Sequence, residues 1–226
     1  MTPGAASFRR VVAIDGPAAS GKSSVARELA KKLGFIYVNS GAMYRAITWH
    51  VLNQKIDPRD LTAVTRLIER THLDCDLQNA ESRILVEGVD PATHLRDVRV
   101  NDGVSLVSSV PRVREVLVDK MRAYALDHDV VMEGRDIGSV VFPDTPYKFY
   151  LDARPEIRSQ RRAAEGQTDR IAVRDQADSS RRDSPLLIAS DACVIDSSRL
   201  SVPGVVSAIL ERLHTAGLSV QAEQPS

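Results

Sequence analysis

The sequence contains few cysteines and has no excess of either charge. Cys75 and Cys193 are the only cysteines among its 226 residues. Because they lie far apart and lack the spacing of metal ligands, they indicate a reducing compartment. The 30 basic and 30 acidic side chains balance. The overall charge therefore gives no reason to expect binding to nucleic acid or to an anionic membrane.

Long apolar runs are also missing. No segment approaches the roughly 18 apolar residues of a membrane-spanning helix, and the first ten residues hold no apolar stretch that would make a signal peptide. We therefore predict a cytoplasmic protein that does not bind membranes. The length and the apolar fraction of 43% fit one sizeable domain with a core. The tail, residues 216–226, is small and polar and is expected to fray.

Lysine is scarce in comparison with arginine. The chain has 6 lysines and 24 arginines. An arginine side chain binds a phosphate or a carboxylate through two parallel hydrogen bonds, so this bias fits a protein that handles phosphate groups. A GC-rich genome would give the same bias without any functional meaning, and that alternative stays open.

One segment has the sequence of a phosphate-binding loop. Residues 16–23, GPAASGKS, match the pattern G-x-x-x-x-G-K-[ST] in full. They follow the apolar run 11–14, a predicted buried strand, and precede the predicted helix 24–34. In this setting backbone N–H groups cradle phosphate oxygens, Lys22 reaches the β and γ phosphates, and the Ser23 hydroxyl ligates Mg²⁺. The predicted ATP-binding residues of this segment are Gly16, Pro17, Ala18, Ala19, Ser20, Gly21, Lys22, Ser23 and Ser24.

A second group of polar residues follows the next predicted strand, residues 35–38. Ser40 is a suitable N-cap for the helix that begins there. Because ligands bind at the carboxyl ends of parallel strands, Ser40, Tyr44 and Arg45 are expected to face the same cleft as the phosphate loop, where they would contact an acceptor nucleotide. The alternative is a capped helix with a solvated arginine.

The predicted loop after a third strand, residues 129–132, carries three further charged side chains. Arg135 is suited to bind the phosphate of the acceptor, and Asp136 is suited to accept hydrogen bonds from a sugar or a base. Glu133 is a candidate for orienting water bound to Mg²⁺. A solvated glutamate is the alternative at that position.

Five motifs, in order along residues 11–210, resemble those of bacterial cytidylate kinases. They are IDGPAASGKSS (14–24), NSGAMYRA (39–46), VPRVRE (110–115), EGRDIGSVVFP (133–143) and RDQADSSR (174–181). Ser139 stands where the family usually has threonine. The resemblance implies a monomeric enzyme that transfers the γ-phosphoryl group of Mg·ATP to CMP or dCMP, giving ADP and CDP or dCDP.

The resemblance also implies an acceptor site and a set of catalytic residues. The implied CMP-binding residues are Ser40, Gly41, Tyr44, Arg45, Arg114, Arg135, Asp136, Asp178 and Arg181. The implied catalytic residues are Lys22, Arg135, Arg174, Asp178 and Arg181. Only the motif favours Arg114 over Arg112, because two residues that lie two apart on a helix cannot share a face.

A helical lid is expected over residues 158–185. On a helix Arg174, Asp178 and Arg181 share one face, where two guanidinium groups could clamp a transferring phosphoryl group. Residues 163–173 are fewer than is usual in the family, and Val173 replaces the usual acidic residue. Arg158 and Arg162 lie four apart on the predicted helix 155–164, and they form either a wall beside ATP or a solvated basic surface.

Strands and helices alternate along the chain. This order predicts an α/β protein with the P-loop nucleoside-kinase fold, whose five parallel strands lie near residues 11, 35, 129, 147 and 192 and are covered by helices. Residues 73–89 alternate as strands do and predict a small antiparallel insert, which the resemblance assigns to a monophosphate-binding lobe. We predict one kinase domain, residues 1–226, with its core at 8–70, 101–157 and 186–214, the insert at about 71–100 and the lid at about 158–185.

Two other functions deserve comparison with this one. A related kinase could use another acceptor, such as UMP, AMP, shikimate or dephospho-coenzyme A, but residues 73–89 and the EGRDIG block argue against it. A nucleotide-dependent switch would need a base-reading segment of the NKxD type, and the sequence contains none. The five histidines have no assigned chemical role.

Overall fold

Five parallel strands form the centre of the fold. The computed structural model describes residues 8–164, 175 and 186–218. Within these residues one sheet has seven strands, in the order β3-β4-β2-β5-β1-β6-β7. The strands are β1 (Val11–Asp15), β2 (Ile36–Asn39), β3 (Leu73–Gln78), β4 (Glu81–Val86), β5 (Val130–Gly134), β6 (Tyr147–Asp152) and β7 (Cys193–Asp196). All pairs among β1, β2, β5, β6 and β7 are parallel, which confirms the predicted parallel sheet.

Helices cover both faces of the sheet. They are α1 (Lys22–Leu33), α2 (Ser40–Asn53), α3 (Leu61–Ile68), α4 (Val98–Val107), α5 (Pro111–Asp127), α6 (Pro155–Ala164) and α7 (Val202–Thr215), with a 3₁₀ turn at Ala92–His94 and a π turn at Ile137–Val141. Val11 and Ala13 of β1 share a core with α2, α3 and α5, whereas Val12 and Ile14 share one with α1 and α7. The first four residues of the strand are all apolar because both of its faces are buried. In the part of the chain that the structure describes, no helix has the length and apolar character to cross a membrane.

The predicted antiparallel insert is a hairpin that extends the main sheet. β3 and β4 pair from Leu73 opposite Val86 to Gln78 opposite Glu81. Tyr37 of β2 pairs with Glu81, and its backbone N–H donates to the carbonyl oxygen of Ala80 at 2.9 Å. The sequence pattern indicates the two strands but not the edge at which they join the sheet. The division of the chain into core, monophosphate lobe and lid stays a prediction.

The chain turns back on α7 after that helix ends. Gly217 adopts the left-handed conformation, with φ +83°, and the N–H of Leu218 donates to the carbonyl oxygen of Leu213 at 2.9 Å. This is the hydrogen bonding of a Schellman motif, in which the residue after the glycine packs on the helix. Leu218 is accordingly 2% exposed. Residues 216–218 of the tail that was expected to fray are therefore ordered, and residues 219–226 lie outside the described part.

Candidate active site

The phosphate loop connects β1 to α1 and folds around its own lysine. At Gly16 a Cβ atom would lie 2.1 Å from the carbonyl oxygen of Leu151, so only glycine fits there. Lys22 is buried, and its Nζ donates to the carbonyl oxygen of Pro17 at 2.6 Å and to Ser20 Oγ at 3.3 Å. The loop thus encloses a cation, as expected for a site that binds phosphate.

Two arginines of α6 bind the backbone around this loop. Arg158 Nη1 donates to the carbonyl oxygen of Ala18 at 3.2 Å and forms an ion pair with Asp175. Asp175 Oδ1 in turn accepts from the N–H of Ala18 at 3.1 Å. Arg161 Nη2 donates to the carbonyl oxygen of Ser197 at 2.7 Å, and Ser197 Oγ donates back to the loop at the carbonyl oxygen of Ser20, at 2.8 Å. These contacts hold the loop from the side of α6.

Arg162 has different surroundings from Arg158, although the two were expected on one face. Arg162 lines the open cleft beside the loop, whereas Arg158 binds loop backbone and Asp175. Neither side chain belongs to a merely solvated surface. The roles of Arg161 and Asp175 were not predicted. Arg161 does have helical spacing from Arg158, but no sequence pattern connects Arg158 with a residue 17 positions away.

Ser23 faces the carboxylate of Glu133. Ser23 Oγ donates to Glu133 Oε1 at 2.6 Å, and the same oxygen accepts from the Tyr37 hydroxyl at 3.1 Å. Glu133 is 5% exposed and belongs to β5 rather than to the loop after it, so the alternative of a solvated glutamate is wrong. Among the described residues no group of three or more His, Cys, Asp or Glu side chains is arranged to hold a metal ion. A hydroxyl and a carboxylate nevertheless suit Mg²⁺, because it prefers oxygen and usually takes other ligands from phosphate and water.

Asn39, and not Ser40, caps α2. Asn39 Oδ1 accepts from the N–H of Ala42 at 2.9 Å, so the predicted cap is wrong by one residue. Ser40 Oγ instead donates to the carbonyl oxygen of Glu133 at 2.7 Å and joins the helix to β5. Because asparagine and serine cap helices about equally well, the sequence alone does not distinguish the two positions.

Several guanidinium groups crowd the cleft beside α2. Burial, and then the charge of Arg135, lowers the pKa of Arg45 to about 10, and the charges of Arg162 and Arg96 act in the same direction. A Cβ atom at Gly41 would lie 3.1 Å from Arg45 Nη1, so the glycine leaves space for this side chain. A bound anion would relieve the repulsion between these cations, which makes this corner suited to phosphate.

Arg114 and Asp136 form a buried ion pair in the wall of the cleft. Their side chains are 6% and 5% exposed. The guanidinium carbon of Arg114 lies 5.5 Å from the centre of the Tyr44 ring. Arg112, by contrast, is 45% exposed and pairs with Glu115 at the surface. The structure therefore brings Arg114, and not Arg112, to the cleft.

Asp15 connects the phosphate loop to the segment that carries the predicted acceptor residues, and its role was not predicted. Its carboxylate accepts from the N–H groups of Ile137 and Gly138, each at 2.8 Å. Burial raises the pKa of Asp15 to about 6, although the two N–H groups oppose the rise. An acidic residue at the end of an apolar strand is the only local sign of this contact.

Most of the predicted site residues meet in one open cleft. The predicted residues that line it are Ala18, Ala19, Ser20, Gly21, Lys22, Ser23, Ser24, Ser40, Gly41, Tyr44, Arg45, Arg114, Glu133, Arg135, Asp136 and Arg162. Gly16, Pro17 and Arg158 are adjacent to it in the loop and in α6. Four residues that were named in the predicted lid lie outside the described part of the chain, and these are Val173, Arg174, Asp178 and Arg181.

A sequence model of a known family matches almost the whole chain. The model describes cytidylate kinase, and it matches residues 12–215. The chain belongs to the cytidylate kinase family. A cytidylate kinase from Caldanaerobacter subterraneus subsp. tengcongensis is 40% identical over 214 residues, which are 90% of this chain and 94% of the relative. Another, from Pelotomaculum thermopropionicum, is 42% identical over 215 residues, which are 89% of this chain and 95% of the relative.

The match to the cytidylate kinase family confirms the predicted resemblance and the predicted class of enzyme, a phosphotransferase. Together with the parallel sheet and the phosphate loop, this match also confirms the predicted P-loop kinase fold. A solved structure of shikimate kinase from Acinetobacter baumannii in complex with shikimate covers 93% of this chain and 96% of that chain, at 14% identity and a TM-score of 0.48. That similarity is too weak to carry an argument about the site.

Proposed function

We propose that this cytidylate kinase family member transfers the γ-phosphoryl group of Mg·ATP to CMP or dCMP and releases ADP and CDP or dCDP. One observation carries the proposal beyond the family match. A single cleft is lined both by the phosphate loop with Lys22 and by the crowded arginines Arg45 and Arg135. A kinase must hold two phosphate-bearing substrates side by side, so it needs two cationic surfaces in one cleft. A nucleotide hydrolase needs only one.

The donor ATP is proposed to bind with its phosphates in the loop. Backbone N–H groups and the N-terminus of α1 would cradle them, and Lys22 would exchange its bonds within the loop for phosphate oxygens. Ser23 would hold Mg²⁺ directly, and Glu133 would hold it through water. When bound, Mg²⁺ neutralises charge on the phosphates. Arg158 would keep the loop in place rather than contact the reacting phosphate groups.

The acceptor is proposed to bind beside α2. Arg45 and Arg135 would take its phosphate, since their repulsion favours an anion between them. Asp136, fixed by Arg114, would accept hydrogen bonds from the sugar or from the base amino group. The remaining assignments rest on the resemblance alone, and they place Ser40, Gly41 and Tyr44 at CMP and Arg174, Asp178 and Arg181 on the transferring phosphoryl group.

Positioning and charge neutralisation are proposed to account for the catalysis. An ionised phosphate oxygen of the acceptor is already a nucleophile, so the reaction needs no general base. The rate then depends on holding that oxygen close to the γ-phosphorus and on excluding water. We also propose that the protein acts as a monomer in the cytoplasm, where its two free cysteines, Cys75 and Cys193, remain reduced.

Replacing Arg135 with alanine tests the acceptor site. Truncating a charged hydrogen-bond donor should raise the KM for CMP by about 10- to 100-fold, while the KM for ATP changes little. Arg112→Ala, which removes an exposed arginine outside the cleft, is the matched control and should leave both values unchanged. Normal CMP kinetics in Arg135→Ala would mean that the acceptor site lies elsewhere.

A further inference from the structure

A chain of hydrogen bonds joins the acceptor helix to the phosphate loop through Tyr37. The N–H of Ala42 donates to Asn39 Oδ1 at 2.9 Å, and Asn39 Nδ2 donates to the Tyr37 hydroxyl oxygen at 3.1 Å. The Tyr37 hydroxyl donates to Glu133 Oε1 at 3.1 Å, and Ser23 Oγ donates to the same oxygen at 2.6 Å. Four hydrogen bonds thus connect the first turn of α2 with the first turn of α1.

The direction of each bond is fixed by chemistry. A backbone N–H can only donate, so the carbonyl oxygen of the Asn39 amide faces Ala42 and its NH₂ group faces Tyr37. The Tyr37 oxygen accepts from that NH₂ group, and its single proton is therefore directed at Glu133. An ionised carboxylate only accepts, so it takes hydrogen bonds from both Tyr37 and Ser23. No group in this series of hydrogen bonds can exchange its donor and acceptor roles without breaking a hydrogen bond.

Tyr37 is held in place for this task. The residue is 3% exposed, and the guanidinium carbon of Arg27 lies 4.8 Å from the centre of its ring. Arg27 is itself fixed by Glu81, at 2.6 Å.

We propose that Tyr37 is a positioning residue for the magnesium nucleotide, because its hydroxyl holds Glu133 toward Ser23 and ties this pair to the first turn of α2. The inference rests on the proposed function of Ser23 and Glu133. With Ser23 donating its proton to Glu133, the oxygen of Ser23 keeps its lone pairs free to face a metal ion. Loss of the Tyr37 hydroxyl would leave Glu133 with one donor fewer and would let the orientation of Ser23 relax.

The test compares ADP binding with and without Mg²⁺ by titration calorimetry. In Tyr37→Phe, we expect ADP affinity in the presence of Mg²⁺ to fall by about three- to tenfold, which is less than for the loss of a direct hydrogen bond to a charged ligand, because Tyr37 acts on the magnesium nucleotide only through Glu133. ADP affinity in EDTA should stay unchanged, because the contacts of the loop with phosphate remain. The readout is the ratio of the ADP affinity with Mg²⁺ to the ADP affinity in EDTA. A purely structural defect would lower both affinities and leave their ratio unchanged.

Two further variants make the comparison specific. Tyr124→Phe removes the same atom from another buried tyrosine, whose hydroxyl bonds to the carbonyl oxygens of Asp76 and Arg83 on the hairpin, and it should keep the wild-type ratio. Asn39→Ser keeps a good N-cap but removes the donor to Tyr37. It should lower the ratio in the same direction, by a smaller factor. Thermal unfolding of each variant checks that the fold is intact.

The possible outcomes distinguish a failure of the role proposed for Tyr37 from a failure of the proposed function. If the wild-type protein gains ADP affinity with Mg²⁺ but Tyr37→Phe gains just as much, Tyr37 is not a positioning residue. Should Tyr37→Phe not fold, an unchanged ratio in Asn39→Ser overturns the inference instead. If Mg²⁺ has no effect on the wild-type protein, the proposed metal site is wrong, and this inference is wrong with it. Phosphorylation of CMP by the wild-type protein tests the proposed function independently.

Discussion

Replacing Asp15 with asparagine should weaken the alignment of the two nucleotide sites without unfolding the protein. The carboxylate of Asp15 accepts from two backbone N–H groups, those of Ile137 and Gly138, just beyond the proposed acceptor residues Arg135 and Asp136. Asparagine has one oxygen for two N–H groups and turns its NH₂ group toward the other. We therefore expect the acceptor segment to shift and kcat/KM for CMP to fall by about tenfold or more, because reacting groups tolerate little misplacement.

The stability of Asp15→Asn relative to the wild-type protein should rise with pH. The folded-state pKa of Asp15 is about 6, against 3.8 for the ordinary value, so between these values the folded chain binds a proton that the unfolded chain has released. Stability of the wild-type protein from this group therefore falls as pH rises from about 4 to about 6, and it stays low above that range. The full difference is about 3 kcal/mol, at about 1.4 kcal/mol per pKa unit. Asparagine, which does not ionise, escapes this loss.

Urea unfolding at several pH values measures this difference. Between pH 5 and pH 8 the stability of Asp15→Asn relative to the wild-type protein should rise by about 1.4 kcal/mol. Asp129→Asn is the matched control, because Asp129 also bridges β1 and β5, through Arg10, at the end remote from the cleft. The bonds to Arg10 lower the pKa of Asp129, so its contribution is lost only in acid and should stay constant between pH 5 and pH 8. The reasoning is refuted if Asp15→Asn keeps wild-type CMP kinetics, or if its stability relative to wild type does not change with pH.

Two further substitutions test the walls of the cleft. In Gly134→Ala the new Cβ atom would lie 2.6 Å from Ser40 Oγ, so we expect a loss of about 1–3 kcal/mol in urea unfolding, and a stability equal to wild type would contradict the packing described. Arg114→Met leaves the buried carboxylate of Asp136 without its partner and should cost about 3–5 kcal/mol, measured in the same way. Arg112→Met removes an exposed ion pair and should change stability by less than about 1 kcal/mol, and equal effects of the two arginine variants would be inconsistent with the buried pair.

The parts of the site that lie within one stretch of sequence could be predicted. The phosphate loop needs only a strand, a glycine-rich turn and a helix in succession, and Lys22 and Ser23 lie where that pattern puts them. Only the motif favoured Arg114 over Arg112. The structure gives the physical difference between them, because Arg114 is buried in the cleft wall beside Asp136 and Arg112 is exposed. The start of α2 shows the limit of local signals, since Asn39 and Ser40 are both good caps and the choice depends on which one can reach Glu133.

Contacts between distant segments could not be predicted. Asp15 lies 122 residues from Ile137, and Tyr37 lies 96 residues from Glu133. Both contacts exist because β5 lies between β2 and β1 in the sheet, and an alternation of strands and helices does not give the order of the strands. The edge at which the hairpin joins the sheet was missed for the same reason. The ion pair between Arg158 and Asp175 was missed because no local pattern connects residues 17 positions apart. Such contacts hold the two halves of the cleft together, so the sequence indicated the substrates better than the means of aligning them.

The most direct test of the proposed function is the production of ADP from Mg·ATP with CMP, dCMP, UMP, AMP or GMP, and with no acceptor. Two cationic surfaces in one cleft, in a member of the cytidylate kinase family, predict fast turnover with CMP and dCMP and slow turnover when no acceptor is present. Turnover that does not depend on an acceptor would contradict the account, because the arginines around Arg45 would then have no phosphate to bind. Fast turnover with AMP or GMP alone would contradict the assignment of the acceptor.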